Sequence, residues 1–336
     1  MRTWGGLVVL IVFLFVSTLS GIASSAALAQ GKPTILRLAH VVPATSTKNL
    51  ANLKFSELVQ ARTKNQVQVH VFPGSQLGNE MDLAQGAQMG TLDLFWGDVA
   101  VYASYVKEFN VFNAPLVFKD ATHWGAVVKG PIFDGLAEQL LKKAGLRVLA
   151  RHWMGERYVL TRSKAVSTPE DLKGLKIRVP DIPMYTASFK TLGAIPTPVN
   201  YSEVYLSLQQ GVVDGMENPV GLIRAMKFYE VAKNLTLVPW NNAVNVLVIN
   251  DAAFGRLTPE QQKVLVDAGK DSEPYLEDLM TKEQDECLAL FEAKGVKLIR
   301  PKDLSPWLAA VKDFPKRYGD MWGRADLYTE IQNYKY

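Results

Sequence analysis

Residues 168–219 read TPEDLKGLKIRVPDIPMYTASFKTLGAIPTPVNYSEVYLSLQQGVVDGMENP, and their pattern decides the kind of sheet the chain builds. Thr168 and Pro169 have the form of a helix N-cap and first helical residue, and Gly174 that of a stop. Lys176–Val179 then alternates as a short strand, which Pro180 ends. Leu175, Ile177 and Val179 share one face, so Arg178 is out of phase and points away from the core they make. Ser202 reads as the cap of a helix Glu203–Gln210 that Gly211 terminates, after which Asp214–Gly215 turns the chain into Glu217–Asn218–Pro219. The planar fork of Arg178 suits a bidentate partner such as a carboxylate. By composition alone, an arginine snorkelling over the strand surface is the plainer account.

Working outward, the first hundred residues repeat the same alternation. Ile35–Leu38 is a strand, His40–Thr47 a loop, and Leu50–Thr63 has helical spacing. Gln66–Phe72 is a second strand, Pro73–Gly78 a turn, Met81–Gly90 a helix, and Thr91–Trp96 a third strand running into Gly97–Asp98. Such an order predicts a parallel-type sheet with helices on its faces and ligands beyond the strand C-termini, which puts Trp96, Gly97 and Asp98 at a candidate cleft. Ile132–Ala144 is helical, and Gly145–Arg151 leads a strand toward His152–Trp153. Arg157–Arg162 and the opening stretch make a second α/β unit, and Val238–Asn250 looks like a strand returning to the first. Thr258–Gly295 is a long helical run that Pro274 should kink or split. No Pro/Gly/Ser-rich linker divides the chain, so two units joined by several crossings, a hinge, are expected.

The chain has 336 residues, 48% hydrophobic and 21% charged, with a formal net charge of +4. These values describe a globular protein with a sizeable core, and without a basic block nothing points to nucleic acid. Residues 1–29 differ: Arg2 is a positive start, Leu7–Leu19 an apolar core, and Ala27–Leu28–Ala29 a small-residue cleavage site. The expectation is a signal peptide removed after about Ala29, leaving 36 basic against 33 acidic residues once Arg2 is gone. The single cysteine, Cys287, allows no internal disulfide and leaves none for a lipid anchor at the cleavage site.

Catalytic signatures are missing. There is no HExxH, CxxC, GxSxG or phosphate-binding glycine loop, and the four histidines are spread too widely to suggest a metal site. No cofactor is expected.

The stretches GLKIRVP (174–180), LGAIPTPVNYSEVYLSLQQGVVDGMENP (192–219) and FPGSQLGNE (72–80) resemble the substrate-binding proteins of tripartite ATP-independent periplasmic (TRAP) transporters, the DctP family. The resemblance covers nearly the whole chain after residue 29. It implies a two-lobed periplasmic-binding-protein α/β fold with a long helix lying across both lobes. Lobe I would hold residues 30–155 plus about 244–283, and lobe II residues 156–243 plus about 284–336. It also implies a periplasmic carrier, expected as a monomer, that takes a small organic acid to a TRAP membrane permease. In the family, the arginine in the place of Arg178 makes a two-pronged salt bridge to the ligand carboxylate. The residue matching Asn218 bonds the same group, and the one matching Arg157 assists. An aromatic in the place of Tyr201 packs over the ligand, while residues matching Glu80, Trp96 and Asp98 line the other wall. Where several members carry Asn–Gly before the first arginine, this chain has Met154–Gly155–Glu156–Arg157. A methionine there is less polar than asparagine, which argues against a heavily hydroxylated ligand such as sialic acid at this wall. With Trp96 and Trp153 as candidates, an acid with an apolar or aromatic body joins dicarboxylates and 2-oxo acids as an expected ligand. The alternatives are a sensor of the same fold, or a periplasmic hydrolase or lyase using Glu80 or Asp98 as base.

Overall fold

The structure, a computed structural model, describes residues 32–335, so the expected signal peptide lies outside the described residues. Nine strands form one sheet: β1 (Thr34–Ala39), β2 (Val67–Phe72), β3 (Leu94–Asp98), β4 (Leu146–Thr161), β5 (Lys176–Val179), β6 (Ile195–Pro198), β7 (Gly215–Asn218), β8 (Asn234–Asn250) and β9 (Lys297–Ile299). Their spatial order is β2-β1-β3-β8-β4-β7-β5-β6, with β9 added to β8. On one side β1 pairs in parallel with β2 and β3; on the other, β5 pairs in parallel with β6 and β7. The chain is thus a two-lobed α/β protein.

The two sides are joined by β4 and β8, which run antiparallel through both. Their inner ends pair Leu146–Trp153 with Val244–Asn250, and their outer ends pair Glu156–Thr161 with Asn234–Asn242. Alternation predicted β8 only from Val238, and predicted two separate strands where β4 is continuous. The strands continue through interruptions of the ladder, with register shifts at 148/150, 153/156 and 157/159. Gly155 sits in the middle shift with φ +85°, and a Cβ there would lie 2.7 Å from Met280 Cε. Gly155→Ala is therefore expected to cost about 2 kcal/mol, the penalty of a left-handed residue plus a displaced methionine. Urea denaturation measures this, and a Met280→Ala background should recover part of it.

The long helix runs unbroken from Pro259 to Ala293, entered through a Thr258–Gln261 capping box. Pro274 does not split it. Leu265, Ala268 and Ser272 are buried before the proline, and Leu276, Met280, Cys287 and Phe291 after it. Each half is held by its own partners, which offsets the roughly 3 kcal/mol that an internal proline costs. Glu283 of this helix accepts from Thr47 Oγ1 (2.6 Å) and Arg224 Nη2 (2.7 Å), and the buried Lys48 lies 3.9 Å away. That cluster ties the helices Thr47–Arg62 and Val220–Ala225 to the long one.

One local expectation is corrected. Ser202 caps nothing: Tyr201–Glu203 is a 3₁₀ turn leading into the helix Val204–Gln210. In the tail, Trp307 donates to the Ser167 carbonyl, while Tyr328 and Gln332 donate to those of Pro115 and Leu116. Helical spacing identifies an apolar face but not the surface that covers it.

Candidate functional site

The C-terminal ends of the parallel strands from both sides meet in one cavity. β1 continues into Val41 and Val42, β3 ends on Trp96, Gly97 and Asp98, and β5 supplies Arg178 and Pro180. Asn218 closes β7, and the crossing strands add Met154, Arg157 and Asn245. Glu80, Tyr185 and Tyr201 complete the polar lining. A second, more polar hollow beside it shares Glu80, Arg178 and Tyr201 with the first and adds Ser75, Asn79, Asp82, Asp181 and Asn200.

Arg178 lies at the junction of the two. Its side chain is 3% exposed, its Nε–H donates to the Val199 carbonyl (2.9 Å), and its guanidinium carbon stands 5.6 Å from the centre of the Tyr201 ring. Among the described residues no carboxylate forms an ion pair with it. Burial pulls it down to about 10, which still leaves it charged at neutral pH.

Arg157 is in a different state. Its Nε and Nη2 donate to the two carboxylate oxygens of Glu217 at 2.5 and 2.7 Å, and Glu217 is fully buried. Although burial alone would lower it, the Glu217 carboxylate holds Arg157 above its ordinary value. Arg157 stands on β4 and Arg178 on β5. In the sheet β7 lies between them and brings Glu217 under the guanidinium. Arg157 also lies 5.1 Å from the centre of the Tyr185 ring.

The opposite wall carries two carboxylates. Asp98 accepts from the Ala100 amide (2.8 Å), Asn113 Nδ2 (2.6 Å) and the Tyr185 hydroxyl (2.8 Å). Glu80 Oε1 accepts from the Asp98 amide (3.0 Å). Gly97 permits that approach, since a Cβ there would come 2.9 Å from the same oxygen. Burial pushes both carboxyls up, and for Glu80 the neighbouring Asp98 adds to the effect. Asn218 Nδ2 donates to the Tyr201 hydroxyl (3.3 Å), and Trp96 Nε1–H donates to His152 Nδ1 (2.9 Å).

Seven of the eight residues expected in the site thus line one cavity. Trp153 does not. Its indole bonds Asn242 Oδ1 (3.0 Å) and faces a separate groove with Trp124, Lys129 and Glu277, while Met154 takes the cavity side. Sequence reasoning passed over Tyr185, Asn245 and the pairing role of Glu217. Asn245 had a signal: it interrupts the apolar run Ala243–Ile249, and a polar residue buried in such a run calls for a partner. Tyr185 had none, because nothing local tells which side of its helix faces Asp98. Among the described residues no group of three or more His, Cys, Asp or Glu is placed to hold a metal ion. No described helix is long and apolar enough to cross a membrane.

The loop carrying Val41 and Val42 is fixed by His40, whose Nε2 bonds Asn49 Oδ1 (3.0 Å). Burial keeps His40 neutral down to about 4, against 6.5 for an ordinary histidine. Between those values the unfolded chain binds the additional proton, so stability is whole above 6.5 and falls as pH drops toward 4. His40→Gln is expected to reduce that slope by about 1.4 kcal/mol per pH unit within the window. Denaturation midpoints at a few pH values in that window test it; an unchanged slope would mean His40 titrates normally.

Comparison with known proteins gives consistent matches. The model of the family described as bacterial extracellular solute-binding protein, family 7, matches residues 38–320. The 2,3-diketo-L-gulonate-binding periplasmic protein of Escherichia coli (strain K12) is 34% identical over 290 residues, covering 86% of this chain and 87% of the relative. A TRAP periplasmic solute-binding protein from Polaromonas sp. JS666, bound to D-erythronate, superposes with a TM-score of 0.86 at 27% identity, covering 90% of this chain and 99% of that one. Another, from Xanthobacter autotrophicus Py2 with bound β-D-galacturonate, has a TM-score of 0.83 at 31% identity, covering 89% and 100%.

Proposed function

The chain belongs to family 7 of the bacterial extracellular solute-binding proteins, and from that premise we propose that its interlobe cavity captures an organic acid through Arg178 and delivers it to a TRAP-type membrane permease. The observation that carries the reading is the contrast between the two buried arginines. Arg157 is neutralised by Glu217, whereas Arg178 presents its remaining N–H groups to the cavity. A buried guanidinium with only one carbonyl partner favours an anion of matching geometry, and a carboxylate supplies it. Each charge-assisted bond contributes roughly 1.5–3 kcal/mol net, so two or three account for much of a micromolar affinity of about −8 kcal/mol.

The far wall narrows the class. Glu80 and Asp98 are acceptors close to a second carboxylate's reach, and like charges at short range in a buried site repel. Hydroxyl groups would instead donate to Glu80, while Asn218 and Asn245 offer both donors and acceptors. An acid with one carboxylate and several hydroxyls fits better than a dicarboxylate. It also fits better than the apolar or aromatic acids expected from two tryptophans, since Trp153 is outside the cavity. The hydroxylated acids bound by the Polaromonas and Xanthobacter proteins support the same choice. Residues 1–29 would serve as the export signal, with the secreted protein starting at Gln30, as the mass of protein recovered from the periplasm would test.

A thermal-shift series with D-galactonate, D-glucuronate, succinate and D-galactose tests the reading, because a ligand that binds only the native state raises the melting temperature. The two sugar acids should raise it and galactose should not. A shift with galactose alone would overturn the arginine-centred site. A shift with succinate equal to that with galactonate would leave the acid reading standing and remove the discrimination assigned to Glu80 and Asp98.

A further inference from the structure

Trp96 is a cavity wall, 1% exposed, at the end of β3, and its one polar atom is turned out of the cavity. Indole nitrogen can only donate, so His152 Nδ1, 2.9 Å away, must be the bare nitrogen of the ring. The proton then sits on Nε2, which donates to Ser272 Oγ at 3.0 Å, and the serine hydroxyl donates to the Gly269 carbonyl at 2.6 Å. Every donor in this chain has an acceptor and only one tautomer satisfies it. The His40 ring meets the indole edge-to-face with centroids 5.8 Å apart, fixing it from another side. His152 is buried yet does not line the cavity: it belongs to β4, one of the two crossing strands, and Ser272 lies in the long helix two residues before Pro274. Burial holds His152 neutral to about 3, so the tautomer persists at neutral pH.

We propose that His152 is a positioning residue for ligand recognition: it holds the Trp96 indole by its N–H, with Ser272 fixing the histidine tautomer, so the cavity meets its ligand there with an aromatic surface and no donor. The consequence is selectivity. That side of the ligand must present C–H groups rather than an acceptor, while its hydroxyls turn toward Glu80 and the asparagines. The selectivity claim rests on the hydroxy-acid reading above; the Trp96–His152 bond does not.

Two measurements separate them. In ligand-free protein labelled with nitrogen-15 at its tryptophan indoles, the Trp96 resonance, assigned by its loss in Trp96→Phe, should be protected from solvent exchange and should change in His152→Phe. Rapid exchange would overturn the proposal even if no probe acid bound. Calorimetry with D-galactonate then follows a double-mutant cycle. His152→Phe should weaken binding about tenfold in the wild-type background and less than about twofold in Trp96→Phe, where no N–H remains to hold. His152→Asn, whose Oδ1 replaces the accepting nitrogen, should stay within about threefold of wild type. Equal losses in both backgrounds, or no loss in the wild-type background, would assign His152 a purely structural role. Should His152→Phe fail to fold, Ser272→Ala tests the same link, with a loss of about threefold that vanishes in Trp96→Phe.

Discussion

Replacing Arg178 by methionine is expected to weaken acid binding by more than about a hundredfold, because a carboxylate drawn into the cavity without its cation loses 3–5 kcal/mol. The same substitution should leave the ligand-free protein as stable as wild type or more so. Among the described residues the buried Arg178 has one hydrogen-bond partner and no ion pair, so the fold carries its desolvation cost for the sake of the site. Arg178→Lys should also lose affinity, by about tenfold or more. An ammonium keeps the charge but cannot make two parallel bonds to one carboxylate. Calorimetry with D-galactonate and urea denaturation without it read the two effects separately. Near-wild-type affinity in Arg178→Lys would remove the guanidinium from the centre of the site. A large loss of ligand-free stability in Arg178→Met would mean that it is structural.

The second large effect has the opposite character. Glu217→Ala should destabilise the protein by about 3–5 kcal/mol, since it leaves Arg157 buried over Tyr185 with its charge uncompensated. Changing both members, Arg157→Met with Glu217→Leu, should recover much of that loss by replacing a buried pair with apolar volume. Chemical denaturation of the two variants gives the comparison. A Glu217→Ala protein within about 1 kcal/mol of wild type would show that the pair is solvated in solution and that Arg157 is available to ligand. The two arginines thus predict opposite signs for ligand-free stability, although both are buried in the same cleft.

The sequence by itself determined whatever depends on neighbours a few residues away. The strand Lys176–Val179, with Arg178 out of phase with Ile177 and Val179, follows from an alternation of period two: all three are buried, but Ile177 and Val179 in the apolar core and Arg178 on the cavity. The placing of Trp96, Gly97 and Asp98 at a strand end is equally local, as is the entry of the long helix at Thr258. Together with the family resemblance carried by residues 72–80, 174–180 and 192–219, these were enough for the fold class and for seven residues that line the cavity.

Only the tertiary structure decided which arginine is free. The partner of Arg157 is sixty residues away on a strand inserted between β4 and β5, and strand order is set by long-range packing that no local period encodes. The exchange of Trp153 for Met154 has a related cause. Side-chain parity along a strand can be counted only while the ladder is regular, and the register shift between Trp153 and Glu156 breaks the count at the point where the lobes join.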